Sequence, residues 1–404
     1  MAEIRTIELP MTTFKGMTLN FGPQHPATHG TLRIKMELDG ETVTKVTPYM
    51  GFLHSGFEKL GEHLDFNQYV TVADRMNYMS AICNDVAWHL AVEKLFDVEP
   101  PRRCQYIRVA LAELSRISDH LIFLGTHALD LGAFTAFLWC FREREKIYDL
   151  LEMVTGGRMT TSYTRAGGLW ADIPKGFEEK TLAFCEQLPG KLDEVETLLT
   201  RNRIWIDRTK GVGVISAEDA VSLGLTGPCL RASGVVWDIR KAEPYCCYEE
   251  FEFDVPYGKN GDVYDRYLMR LEEARQSVRI VEQAIERMPS GPVDVDQSAK
   301  IRLPSKQKVY TEMESLIYHF ELIMPGKGPK LPRGEVYVPT ESPNGELGYY
   351  IVGDGESERA YRARTRPPSF VNFQAFTKMV EGEMIADAVA ILGSLNIIAA
   401  ELDR

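Results

Sequence analysis

Residues 121–141, LIFLGTHALDLGAFTAFLWCF, make an apolar stretch about long enough to cross a bilayer as a helix, so the environment of this stretch constrains the whole fold. It carries His127 and Asp130. A carboxylate at mid-span costs roughly 2.5–3.5 kcal/mol on insertion scales, and Arg116, Asp119, Arg142, Glu143 and Arg144 flank the stretch without a clear charge bias. The expectation is a central helix buried in protein. Asp130 inside it then needs a cation or strong donors, and an imidazole and a buried arginine both qualify. The last apolar segment, 384–400, is shorter and mixes Asp387, Gly393, Ser394 and Asn396 among its apolar residues, so it too reads as core.

The rest of the chain is organised around that helix. Leu32, Ile34, Met36 and Leu38 alternate with Arg33, Lys35 and Glu37, and Asp39-Gly40 supplies a tight turn, which predicts a hairpin within 14–50. From about 56 to 155 the apolar spacing is helical, interrupted at Pro100-Pro101, where neither ring can donate a hydrogen bond. Gly156-Gly157 and Gly167-Gly168 break the block. Helices are expected again at 176–204 and 262–288, the latter rich in Arg and Glu at spacings of three and four and therefore read as an outer helix, and at 309–323. A rigid loop at 325–334 precedes a second hairpin around Pro343-Asn344-Gly345. Arg362, Arg364 and Arg366 would share one strand face, as a solvated or acid-paired edge or as a subunit contact. The expected division is 14–50 hairpin region, 56–323 helical body and 324–404 hairpin plus C-terminal helix, within one unit over 1–404. The fold class is α+β, predominantly α, with small antiparallel sheets.

Composition excludes some functions. With 58 acidic and 46 basic residues the net charge is −12, which argues against a nucleic-acid partner and against a polybasic membrane anchor. No secretory signal is visible in MAEIRTIELPMTTFKG, so a cytoplasmic chain is expected. The seven cysteines include no CxxC pair and read as reduced thiols; Cys246-Cys247 lacks both a spacer and a nearby histidine, so packing is preferred to metal binding there.

The densest local signal is Gly22-Pro23-Gln24-His25-Pro26-Ala27-Thr28-His29-Gly30. Two prolines fix φ and two glycines permit tight turns, so this is a shaped loop. The four-residue spacing of His25 and His29 imitates a zinc pair on a helix, but Pro23, Pro26 and Gly30 oppose a helix and no acid lies between. A loop presenting an imidazole into a cleft fits better, since His exchanges protons near neutral pH; a histidine bonded to backbone in a turn is the alternative. Tyr78, in Asp74-Arg75-Met76-Asn77-Tyr78-Met79-Ser80, is expected on a helix beside the soft apolar wall of Met76, Met79 and Ile82.

GPQHPATHG, FLHSGFEKL, DRMNYMS and the terminal GSLNIIAAELDR, with most of the order between them, resemble the quinone-binding, hydrogenase-like D-type subunits of bacterial NADH:quinone oxidoreductase, complex I. The resemblance covers almost the whole chain and implies a [NiFe]-hydrogenase large-subunit-like fold. Those hydrogenases hold their metal with two CxxC pairs. The stretches similar to them here, Arg75–Ser80 and Ser394–Glu401, contain no thiol, so no metal is expected. By the same resemblance His29 and Tyr78 hydrogen-bond the quinone head group, Asp130 stands behind His29, and His25 and Thr126 shape the pocket wall.

The family further implies an iron–sulfur cluster in a neighbouring subunit, NAD(H) bound elsewhere, and proton transport. Its expected partners are the B-type iron–sulfur subunit, the C-type and I-type subunits and the H-type membrane subunit, on the cytoplasmic side of the bacterial inner membrane. Related hydrogenases, other donor:quinone dehydrogenases and a purely docking role are the competing readings. Two positions depart from the family pattern: Ser55 stands where relatives usually carry arginine, and Asn396 where they usually carry aspartate.

Overall fold

Alternation builds the first sheet. In the computed structural model, which describes residues 16–296 and 301–404, strands β1 (Met17–Phe21), β2 (Arg33–Asp39) and β3 (Thr42–Tyr49) form an antiparallel sheet in the order β1-β2-β3. The N-terminal segment read for a secretory signal lies outside the described residues. Ile34, Met36 and Leu38 point into the core as their period-two spacing requires. The turn falls on Gly40-Glu41, one residue later than the sequence suggested, with Gly40 at a φ of 62°.

Five long helices form the body: α1 (Ala81–Phe96), α2 (Arg102–Asp130), α3 (Phe134–Thr155), α4 (Phe177–Leu199) and α5 (Val263–Glu286). The expected single helix through 121–141 is instead two. Gly132 takes a φ of 92°, and Ala133 N donates to Ala128 O at 2.7 Å, closing the carbonyl end of α2 before α3 begins. Asp130 is therefore the last residue of α2, exposed rather than buried at mid-helix.

Between 61 and 80 the expected helix gives way to turns with one short helix, Val70–Ala73, because side chains take the backbone donors: Asp65 Oδ1 accepts from Asn67 N at 2.9 Å and Gln68 N at 2.7 Å. Tyr78 lies in this turn segment and not on a helix. A second correction concerns α5, which is central and not outer. Its Arg266, Arg270 and Glu273 are fully buried, since their partners lie across the core instead of along the helix surface.

Helix α6 (Met313–Ile323) follows a shorter helix over Lys306–Thr311, the expected helix having split at the extended backbone of Glu312. Strands β4 (Gly334–Ser342), β5 (Gly345–Gly353) and β6 (Arg362–Arg366) form a second three-stranded antiparallel sheet. Its hairpin turns at Pro343-Asn344 as read from the sequence. Arg362 is acid-paired, 2.8 Å from Glu62. Helices α7 (Pro368–Phe373), α8 (Ile385–Leu395) and α9 (Ala399–Asp403) complete the chain, the expected last helix being broken at Asn396, which adopts a φ of 52°.

The C-terminal segment returns to the first sheet. Val43 N donates to Glu383 O at 2.9 Å, and Asp403 accepts from Gly51 N at 2.9 Å and Leu53 N at 2.6 Å. Helix α8 packs against both α2 and the loop that follows β1, so three distant parts of the sequence meet at one place.

Candidate functional site

The meeting point is built on the Pro- and Gly-rich loop. At Gly22 a Cβ would lie 2.2 Å from Leu32 O and the φ is 80°, so only glycine fits where the chain leaves β1. Residues Pro26–Thr28 form one 3₁₀ turn capped by His25, whose Nδ1 accepts from Ala27 N at 3.1 Å and whose ring lies 4.4 Å from that of Phe21. Thr28 Oγ1 donates to His25 O at 2.9 Å and ties the turn shut. His29 then takes a left-handed φ of 55°, which ends the turn and directs its side chain outward. His29 reaches solvent, yet the protein crowded about it disfavours the imidazolium and holds its pKa below the usual value.

Asp130 stands close to this loop. Its side chain reaches solvent, yet the protein crowded about it raises its pKa, and the charge of His25 acts against that rise. Thr126, one turn earlier on α2, donates its hydroxyl to Ile122 O at 2.8 Å and is half-buried. An open hollow of 660 Å³ beside the loop is lined by Leu19–His25 and Ile385. His25 borders it; His29, Tyr78, Thr126 and Asp130 do not.

Tyr78 is placed by its neighbour. Asn77 is fully buried, and its side chain accepts from Met79 N at 3.2 Å while its carbonyl takes Asn84 Nδ2 at 3.1 Å, so the turn has one conformation and the Tyr78 ring projects half-exposed. Met76 and Ile82 are wholly in the core; of the expected apolar wall only Met79 stays partly exposed. Burial, and then the charge of Asp119, raise the Tyr78 pKa, so the phenol stays a proton donor.

Asp119 had no sequence signal as a site residue. It lies in the middle of α2, buried, and Asn396 Nδ2 donates to its Oδ1 at 2.7 Å, with the Asn77 side chain close by. Asn77 of the Arg75–Ser80 stretch and Asn396 of the Ser394–Glu401 stretch thus stand beside one carboxylate. The carboxylate expected at 396 is absent, but one is present a hydrogen bond away.

Residues 130–404 match the family model described as the 49 kDa subunit of respiratory-chain NADH dehydrogenase. The chain belongs to that family. It is similar to the D-type subunit of NADH-quinone oxidoreductase from Geotalea uraniireducens, 51% identical over 98% of this chain and 100% of that protein. The corresponding proteins of Geobacter metallireducens, 50% identical over 98% of this chain and all of the relative, and of Chloroflexus aurantiacus, a second copy 51% identical over 96% of this chain and 94% of the relative, agree. Family membership makes the helical body with small antiparallel sheets a hydrogenase-large-subunit-like fold. It also makes the chain one component of an oxidoreductase complex.

Proposed function

We propose that this chain forms, with an adjacent iron–sulfur subunit, the quinone-reduction site of a proton-transporting NADH:quinone oxidoreductase. One observation carries the reading: α8 packs against both α2 and the His25–His29 loop, and Asn396 at its end donates to Asp119 of α2, whose charge acts on Tyr78. Reducing a quinone to a quinol takes two electrons and two protons, and its carbonyl oxygens become basic as charge builds. Tyr78 and the protonated form of His29 supply donors for those oxygens. Asp130 lies near His25, whose charge acts on it, and Thr126 lies one turn earlier on α2.

The electrons come from an iron–sulfur cluster of the neighbouring subunit, and NAD(H) binds elsewhere in the complex. The B-type iron–sulfur subunit, the C-type and I-type subunits and the H-type membrane subunit are proposed as partners on family grounds. Exposed apolar side chains support such an assembly: Phe134 and Leu138 on α3, and Met313, Ile317 and Phe320 on α6, are each at least half exposed, more than a lone chain would leave in water. Among the described residues no helix is long and apolar enough to cross a membrane; a peripheral position on the cytoplasmic face of the inner membrane is proposed on family grounds.

The test is turnover of the assembled complex. Tyr78→Phe and His29→Ala are each expected to lower quinone reduction by about a hundredfold, while NADH oxidation by an artificial electron acceptor that takes electrons upstream is unchanged. Near-normal quinone reduction in both variants with assembly intact would leave only a docking role. Stoichiometric nickel in the purified complex would favour a hydrogenase.

A further inference from the structure

Two buried carboxyl groups lie on elements far apart in sequence, and one of them, Asp119, is close enough for its charge to act on Tyr78. Asp119 of α2 and Glu401 of α9 are both buried. Asn396 Nδ2 joins one end of a bridge between them, donating to Asp119 Oδ1 at 2.7 Å and to Asn344 Oδ1 at 2.6 Å. Asn344 is held by Asn372, whose Nδ2 donates to its backbone carbonyl at 2.8 Å, and its own Nδ2, which makes no hydrogen bond, faces Glu401. The Ser369 hydroxyl donates to Glu401 Oε2. One oxygen on each acid, Asp119 Oδ2 and Glu401 Oε1, has no hydrogen-bond partner.

An orphaned buried carboxylate oxygen is costly, and two ionised carboxylates linked by neutral amides are costlier. Cations face Asp119: Arg270 from α5 and Arg144 from α3, with His120 beside it on α2. Cys83 of α1 and Tyr78 are its other titratable neighbours. Glu401 faces Ser369 of α7, Asn344, Tyr349 of β5 and the like charge of Asp119, and its pKa is pushed up to about 8, chiefly by burial. One proton on the pair, residing on Glu401, removes the like-charge repulsion and leaves a single ionised carboxylate, Asp119, facing the arginines.

We propose that Asp119 and Glu401, on either side of the hydrogen-bonded side chains of Asn396 and Asn344, form a buried diacid that stores one proton near Tyr78 and gives it up during quinone reduction. The inference rests on the assignment of Tyr78 to the quinone site. The electrons are those of the neighbouring cluster. As they arrive, the Tyr78 O–H bond breaks and an O–H bond forms on a quinone carbonyl oxygen. The carboxyl O–H of the diacid then breaks, the phenol is restored, and both carboxyls stay ionised until a proton returns from solvent. The second proton of the quinol comes from the His29 side.

The experiment is infrared difference spectroscopy of the assembled complex reduced by NADH in the presence of a short-chain quinone. Loss of a protonated-carboxyl C=O band, shifted in D2O, is expected on reduction. Glu401→Gln and Asp119→Asn should each abolish that band and lower quinone turnover about tenfold with little change in KM. Should either variant fail to assemble, Asn396→Ala, which cuts the bridge and keeps both acids, should move the band in frequency. The proposal is overturned by the absence of any carboxyl band in the unmodified complex, by its survival at full amplitude in the carboxyl variants, or by its standing unmoved in Asn396→Ala. If Tyr78→Phe leaves quinone turnover intact, the site assignment itself fails; if Tyr78→Phe loses turnover and the band behaves otherwise than stated, the diacid alone fails.

Discussion

Arg231 and Glu273 meet at 3.1 Å in the interior, with neither side chain exposed to solvent. They belong to a buried cluster in which Arg116, Arg231 and Arg240 face Glu113, Glu273, Asp238 and Glu341, locking α2, α5 and β4 together. Removing one partner strands a charge away from water. Arg231→Met, which loses Glu273 at 3.1 Å and Glu341 at 2.7 Å at once, is expected to destabilise the fold by about 3–5 kcal/mol. Arg231→Lys should recover little, since one ammonium cannot span the contacts of a planar guanidinium. The denaturant midpoint of the purified chain and the amount of assembled complex in cells measure both.

The same interior makes stability depend on pH with two opposite signs. Glu401 has its pKa raised from 4.5 to about 8, so the folded state keeps a proton that the unfolded chain has released. Its contribution is full below pH 4.5 and disappears as pH rises toward about 8, with a slope approaching 1.4 kcal/mol per pH unit in between. Glu273 is held well below its usual range and Asp238 near 2 by the facing arginines, so their contribution is present at neutral pH and vanishes on acidification. Glu401→Gln is expected to flatten the limb between about pH 5 and 8 and to leave the acid limb in place, as read from Tm against pH.

A further consequence concerns the loop. Gly22→Ala would push a methyl group into Leu32 O, 2.2 Å away, at a φ of 80° that side chains rarely adopt. The backbone must move, and His25 and His29 move with it. Quinone reduction is expected to fall at least about tenfold while NADH oxidation by an upstream artificial acceptor persists; equal loss of both would point to misassembly instead.

What the sequence made legible follows from local physics. The β2–β3 hairpin could be read because Ile34, Met36 and Leu38 alternate with charges, and the shaped loop because Pro23, Pro26 and Gly30 leave few conformations. The break between α2 and α3 was hidden, since apolar residues run straight through Leu131-Gly132-Ala133 and only the φ of Gly132 marks it. For α5 the Arg and Glu spacing is the same whether the charges are solvated or paired across a core, so burial could not be told from pattern. Asp119 and Glu401 were invisible for a different reason: their partnership depends on Asn396 and Asn344, and no local window holds all four.

The tight approach of α8 to α2 at Gly393 permits a final prediction. A Cβ on Gly393 would lie 2.5 Å from His127 Nδ1. His127 cannot swing aside, being buried with its ring stacked 5.4 Å from Phe123 and set edge-on 5.3 Å from Trp205. Gly393→Ala must therefore part the two helices, and overpacking of this kind costs about 1–3 kcal/mol. Asn396 lies three residues further on, so the same displacement draws its amide from Asp119. His127→Ala alone removes the ring and leaves a cavity. Combined with Gly393→Ala it removes the clash, so the double variant should be more stable than the sum of the single losses by about 1 kcal/mol or more. Strict additivity in the denaturant midpoints would mean that the contact between Gly393 and His127 does not set the helix separation.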